Sequence, residues 1–250
     1  MYNRELSDQI QVTKKVSKIS FQELIEKERE QRRTYILDAA EGLFFAKSFS
    51  TVSMEEIAKR VGLNKATIYL YFEDKDSLFF AIVLRKMRIH LKKIEDGAYQ
   101  KGSGRERVRN MMTAGFAYSQ ENPEFFHLFY TTGPERFKDT DNPLAKVIFE
   151  ILLKEVSLIQ DVLKEGIVDG SVRDDLDPRE MASYISVTCG SIGSTDPGWR
   201  ALLAAEGIGY PQYVADFLRF LDSAIAKPQG DIKSPVKKRN TGTRKTKKSP

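Results

Sequence analysis

Met54, Ile57, Ala58 and Val61 recur at helical spacing, so the stretch they occupy is predicted as a short helix with one apolar face. Ser53 followed three residues later by Glu56 is a capping-box pattern for its start. Gly62, the residue that most cheaply adopts the left-handed conformation, marks its end. Asn64 can cap a second short helix, with Ile68 and Phe72 facing inward on a period of four. Two short helices joined by a tight Gly-containing turn predict a helix-turn-helix. Upstream, a longer helix is expected from about Phe21 to Ala46, with Ile36, Ala39, Ala40, Leu43 and Phe44 as its stripe. Downstream, residues 73–94 read as one helix through Leu78, Phe79, Ile82, Val83, Met87 and Ile94. After a flexible loop at 101–107 the pattern stays helical to about Lys227, with breaks expected at 121–124, 131–143, 168–178 and 194–199. There is no strand-like alternation and no internal repeat, so the predicted fold class is all-α, with a second helical domain after the helix-turn-helix.

In a helix-turn-helix the start of the second helix meets base edges in the major groove. Lys65 and Thr67 stand there, Ala66 is small enough for close backbone approach, and Tyr69, Tyr71 and Lys75 carry groups that can reach phosphate. The expected DNA-contact set is Ser53, Lys65, Ala66, Thr67, Tyr69, Tyr71 and Lys75. Each residue alone could equally be packing or solvated surface; the ordered set carries the expectation. Arg32 and Arg33, near the start of the preceding helix, either face phosphate or lie on a solvated face.

The run IYLYFEDKDSLFFAIV, preceded by SMEEIAKRVGLNKAT and by RRTYILDAAEGLFF, resembles the N-terminal domain of the TetR family of transcriptional regulators over roughly residues 29–85. One departure is Ser48 before Phe49, where the family usually has Gly. The resemblance implies a three-helix DNA-binding domain and a C-terminal helical domain that binds a small effector and dimerises. It also implies a fourth helix that couples the two, and a homodimer that represses by binding a palindromic double-stranded DNA operator. GSVRDDLDPREMASYISVTCGSIG resembles the family segment leading into the dimer helices. The final helix, near 211–226, carries Tyr213, Val214, Phe217, Leu218, Phe220 and Leu221, more apolar surface than a last helix needs alone.

Charge adds an asymmetry. Residues 27–90 hold 12 basic against 9 acidic side chains, residues 91–226 hold 15 against 21, and residues 227–250 hold 9 against 1. The basic excess sits where phosphate could be met, not in the acidic middle. The expected organisation is a flexible arm over 1–22, a DNA-binding domain with its connecting helix over 23–90, an effector and dimerisation domain over 91–226, and a disordered basic tail over 227–250. The arm could lie along DNA or fray; the tail could add non-specific DNA affinity or only solubility. No apolar run spans a bilayer, the N-terminus lacks a signal-peptide core, and the lone Cys189 has no internal disulfide partner. A cytoplasmic, nucleoid-associated protein is expected, with no membrane partner.

The second domain is rich in Phe, Met and Tyr, which line adaptable cavities. Met112, Phe116, Phe126, Phe129, Tyr130, Phe149, Tyr184 and Cys189 are the candidate effector-binding residues, with ordinary core as the competing reading of each. His90 reads as a surface or boundary residue and His127 as core or surface. With two His, one Cys and no G-x-S-x-G, P-loop or H-E-x-x-H spacing, no catalytic residue, metal or cofactor is expected. Asp174, Asp175 and Asp177 read as a helix-capping turn. The alternative function is a constitutive helix-turn-helix factor, architectural or activating, without an effector.

Overall fold

Ser20 opens the first helix with a reciprocal cap: its hydroxyl accepts from the Glu23 amide at 3.1 Å, and the Glu23 carboxylate accepts from the Ser20 amide at 2.6 Å. The computed structural model describes residues 20–138, 140–195 and 197–228. The N-terminal arm before Ser20 and the basic tail after Pro228 lie outside the described residues. Among the described residues ten helices follow in order: α1 (Phe21–Ala46), α2 (Met54–Arg60), α3 (Lys65–Tyr69), α4 (Lys75–Ala98), α5 (Gly104–Glu121), α6 (Pro123–Phe137), α7 (Pro143–Val168), α8 (Pro178–Gly193), α9 (Pro197–Ala205) and α10 (Tyr210–Ile225). The fold is all-α, with an N-terminal helix-turn-helix domain and a C-terminal helical domain.

The first half of α1 leaves Phe21, Leu24 and Ile25 exposed, and burial begins at Ile36 and Leu37. From there a single apolar cluster takes in α1, α2, α3 and the first half of α4. It continues without a gap into Phe125, Phe126 and Leu128 of α6 and Ile148 and Ile151 of α7. The helix-turn-helix therefore shares its core with the second domain. The sequence pattern cannot show such continuity, because each stripe reveals that a face is buried but not against what.

A second cluster, built from Ile94, Met111, Ile159, Leu163, Val172 and Ile225 among others, closes the far end. Here α5 and α7 approach as backbones: a Cβ added to Gly104 would sit 2.3 Å from the Gly166 Cα, so only glycine fits. The end of α10 is pinned by an isolated antiparallel bridge between Val172 and Ala226, with the Arg173 amide donating to the Ile225 carbonyl at 2.9 Å.

The loop expected over 101–107 ends at Ser103, which caps α5 through a capping box with Glu106, and two expected breaks move. Residues 131–137 are helical and extend α6 despite Pro134 inside it. The extension is held by Phe137, whose ring packs edge-on against Phe80 with centroids 5.2 Å apart and against Phe79 at 6.5 Å. The expected break at 194–199 is shorter, because α9 starts at Pro197. Asp177 caps α8 by accepting from the Arg179 amide at 2.8 Å, the role read for that acidic turn.

Candidate functional site

The turn between α2 and α3 is set by its local signals. Ser53 caps α2 by accepting from the Glu56 amide at 3.1 Å. The reciprocal half of the box is missing, because the Glu56 carboxylate is taken by Lys47. Gly62, at φ 70°, ends α2: its amide donates to the Lys59 carbonyl and the Leu63 amide to the Ala58 carbonyl, a Schellman arrangement. Asn64 caps α3, accepting from the Thr67 amide at 2.8 Å and the Thr67 hydroxyl at 2.9 Å. Ile68, fully buried, anchors α3 to the core, while Lys65, Ala66 and Tyr69 face outward. Lys65 Nζ stands 5.9 Å from the Tyr69 ring centroid. Tyr71 is half-buried against the core.

Three members of the sequence-derived set have other work. Ser53 and Thr67 spend their hydroxyls on the caps just described. Lys75 is committed further: its ammonium donates to the carbonyls of Phe49 at 2.7 Å and Val52 at 2.9 Å and sits 4.4 Å from the Phe49 ring centroid. The turn between α1 and α2 leaves those carbonyls without helical partners, and the first residue of α4 supplies the donor. Lys75 thus closes the scaffold instead of standing free toward phosphate. Desolvation, with the nearby Arg136 charge, holds its pKa below the usual lysine value. Ser48 fits the same turn through hydroxyls, with its Oγ 3.0 Å from that of Ser50 and 3.2 Å from Thr51 Oγ1. Arg33 stacks over Phe72 at 4.9 Å, so the α1 arginine nearest the motif packs against it.

From this scaffold α4 runs into the second domain. Arg85 reaches back to Asp38 at 2.6 Å and Glu41 at 2.5 Å, and Lys86 to Glu41 at 2.9 Å, clamping α4 to α1. Further along, Met87, His90 and Ile94 form one wall of a cavity of about 410 Å³, completed by α5, α6, α7 and α8. Of the candidate effector residues, Met112, Phe116, Phe126, Phe129, Tyr130 and Cys189 line it. Phe149 and Tyr184 do not, and they are 59% and 67% exposed. Each lies a helical turn before a lining residue, Leu152 and Val187 respectively, because the apolar stripes run on past the end of the cavity.

Burial pushes the Tyr130 hydroxyl up to about 12 and the Cys189 thiol up to about 12, with Glu155 adding to both. Tyr130 as a residue is 40% exposed, but its hydroxyl end points inward, where a Cβ added to Gly190 would meet it at 2.4 Å. His90, expected at the surface or boundary, is half-buried at the cavity wall: its side chain is 12% exposed, its ring lies 5.7 Å from those of Tyr118 and Phe126, and its Nδ1 is 3.4 Å from Glu155 Oε2. A signal existed, because His90 continues the α4 stripe three residues after Met87 and four before Ile94. His127 is exposed. Glu155 and Ser186 had no signal, being polar residues on amphipathic helices.

A family model described as bacterial regulatory proteins, tetR family, matches residues 36–82. These residues span the α1 core segment, the helix-turn-helix and the start of α4. Over these residues the chain is similar to the TetR family of transcriptional regulators. The fatty acid metabolism regulator protein of Bacillus subtilis (strain 168) is 24% identical to this chain over 173 residues, covering 69% of it and 86% of the relative. A TetR/AcrR-family regulator from Thermobifida fusca superposes with a TM-score of 0.63 at 23% identity, covering 77% of this chain and 97% of its own. The transcriptional regulator FadR from Bacillus subtilis, solved in complex with stearoyl-CoA, superposes with a TM-score of 0.60 at 22% identity, covering 77% and 98%. These proteins, to which the chain is similar, are DNA-binding transcriptional regulators. No helix among the described residues is long and apolar enough to cross a membrane.

Proposed function

We propose that the chain is a dimeric repressor that binds a palindromic operator and is released by a small, largely apolar effector held in the cavity between α4 and α8. The observation that carries this is the course of α4. One end, at Lys75, ties the turn before the helix-turn-helix, and the same helix supplies Met87, His90 and Ile94 to the cavity wall. Its 24 residues span about 36 Å, so a ligand that shifts the wall tilts a rigid rod whose other end carries the DNA-reading unit. Effector and operator then weaken each other's binding by one common factor.

The stearoyl-CoA complex of the Bacillus subtilis neighbour supports an apolar ligand in a domain of this shape. Lys65, Ala66, Tyr69 and the free face of Thr67 would meet DNA, with Tyr71 at the edge. Dimerisation would use the exposed apolar side chains Tyr184 and Val187 on α8 and Phe220 on α10. Paired recognition helices about one DNA turn apart would read the two half-sites. The working boundaries are a DNA-binding unit over 23–90 and an effector and dimerisation unit over 91–226, in a cytoplasmic protein.

The test is selection of bound sequences from a random duplex library at physiological salt, followed by sedimentation of wild type and Phe220→Glu. A palindromic consensus bound by a dimer, lost in the monomeric variant, is expected. Binding no tighter than to scrambled DNA would sink the proposal.

A further inference from the structure

The cavity is apolar over most of its wall, yet it contains a carboxylate. Glu155 of α7 points into it with a side chain only 15% exposed. None of the described residues lining the cavity is Lys or Arg. The nearest candidate partner, His90, approaches to 3.4 Å through Nδ1, but that nitrogen is buried and makes no hydrogen bond. On the facing wall the Ser186 hydroxyl of α8 is also buried without a hydrogen-bond partner. A carboxylate only accepts hydrogen bonds, and buried polar groups left unpaired cost more than the bonds they would make return. The protein therefore maintains a polar spot in an otherwise greasy cavity, where Glu155 faces His90 at 3.4 Å and the Ser186 hydroxyl has no hydrogen-bond partner.

We infer that this cavity is built for a ligand carrying a hydrogen-bond donor, a hydroxyl or an ammonium group, on an apolar body, with Glu155 accepting from that donor and Ser186 completing the polar contact. This rests on the reading of the cavity as the effector site. The apolar body lies along Met112, Phe116, Phe126 and Phe129, and the donor sits where α7 faces α8. An anionic head is disfavoured at that spot, because it would bring a second negative charge beside Glu155, and the wall carries no Lys or Arg to offset it. An acyl chain ending in a free carboxylate would have to keep its head outside.

The test compares three probes with one apolar body and different heads: octylamine, octan-1-ol and octanoate. Each is titrated by calorimetry and by release of fluorescent operator from the full chain, in wild type, Glu155→Gln and Ser186→Ala. The expected order is octylamine and octanol tighter than octanoate by about tenfold or more. Glu155→Gln should weaken octylamine about tenfold while octanol changes little, since the amide oxygen still accepts. Retained octanol binding also shows that the variant is folded. Octanoate binding as tightly as octylamine, or octylamine indifferent to Glu155→Gln, would overturn the donor inference and leave the effector cavity standing. No binding by any of the three, with operator affinity intact, would overturn both.

Discussion

Arg136 of α6 lies over the ring of Phe49, in the turn between α1 and α2, with its guanidinium carbon 4.7 Å from the ring centroid. Lys75 approaches the same ring from the start of α4. An aromatic residue of the DNA-binding domain is thus held by one cation from its own domain and one from the effector domain. Arg136 is tied in turn to Asp76 at 3.4 Å. This cluster links the cavity helix α6 directly to the turn that precedes α2.

Replacing Arg136 by Met keeps the packing stem and removes the charge. Loss of one part-exposed cation–π contact should cost about 0.5–1 kcal/mol in chemical denaturation. Operator affinity should change little, while the factor by which an effector weakens it should shrink. Unchanged coupling, read by anisotropy with and without ligand, would mean that α4 alone transmits the shift.

Lys75 and Lys65 should part company. Lys75→Met leaves the Phe49 and Val52 carbonyls short of a donor and should cost about 1–3 kcal/mol of stability. Lys65→Ala, on an exposed position, should leave stability within about 0.5 kcal/mol. It should nevertheless lower operator affinity and reduce the salt slope by about one. Equal stability losses in urea titrations would contradict the assignment of Lys75 to the scaffold.

Gly190→Ala places a methyl where the Tyr130 hydroxyl now sits, 2.4 Å from it. Tyr130 must swing away, and overpacking of this kind costs about 1–3 kcal/mol. Effector affinity should fall while operator binding persists. The double variant with Tyr130→Phe should recover part of the loss, since it removes the colliding oxygen.

Alkaline pH should destabilise the fold. The pKa values of Cys189, Tyr118 and Tyr130 are each raised by burial to about 12, so the folded state keeps protons that the unfolded chain releases. Their stabilising contribution is complete below the unfolded values, about 8.5 for Cys and 10 for Tyr. It is lost as pH rises from there toward 12. Melting temperature should decline across that window, less steeply in Cys189→Ala. At pH 8 iodoacetamide should label Cys189 slowly in the folded protein and readily in urea, because the thiolate is the reactive form.

The sequence by itself determined what depends on neighbours a few residues apart. Ser53, Gly62 and Asn64 act within three or four positions, through caps and a left-handed turn, so the helix-turn-helix and its register were readable directly. The helix boundaries were nearly readable too, failing where Phe137 anchors a helical turn that its own Thr, Gly and Pro argue against. The cavity was half-legible: aromatic and sulfur-bearing residues pointed to it, but Phe149 and Tyr184 share their stripes and fall beyond its end. Tertiary structure alone decided that Lys75 serves the turn before α2, that one core runs through both domains, and that His90 of α4 meets Glu155 of α7. An amphipathic stripe says which face of a helix avoids water. It does not say which helix covers that face, nor where five such helices meet without quite filling the space between them.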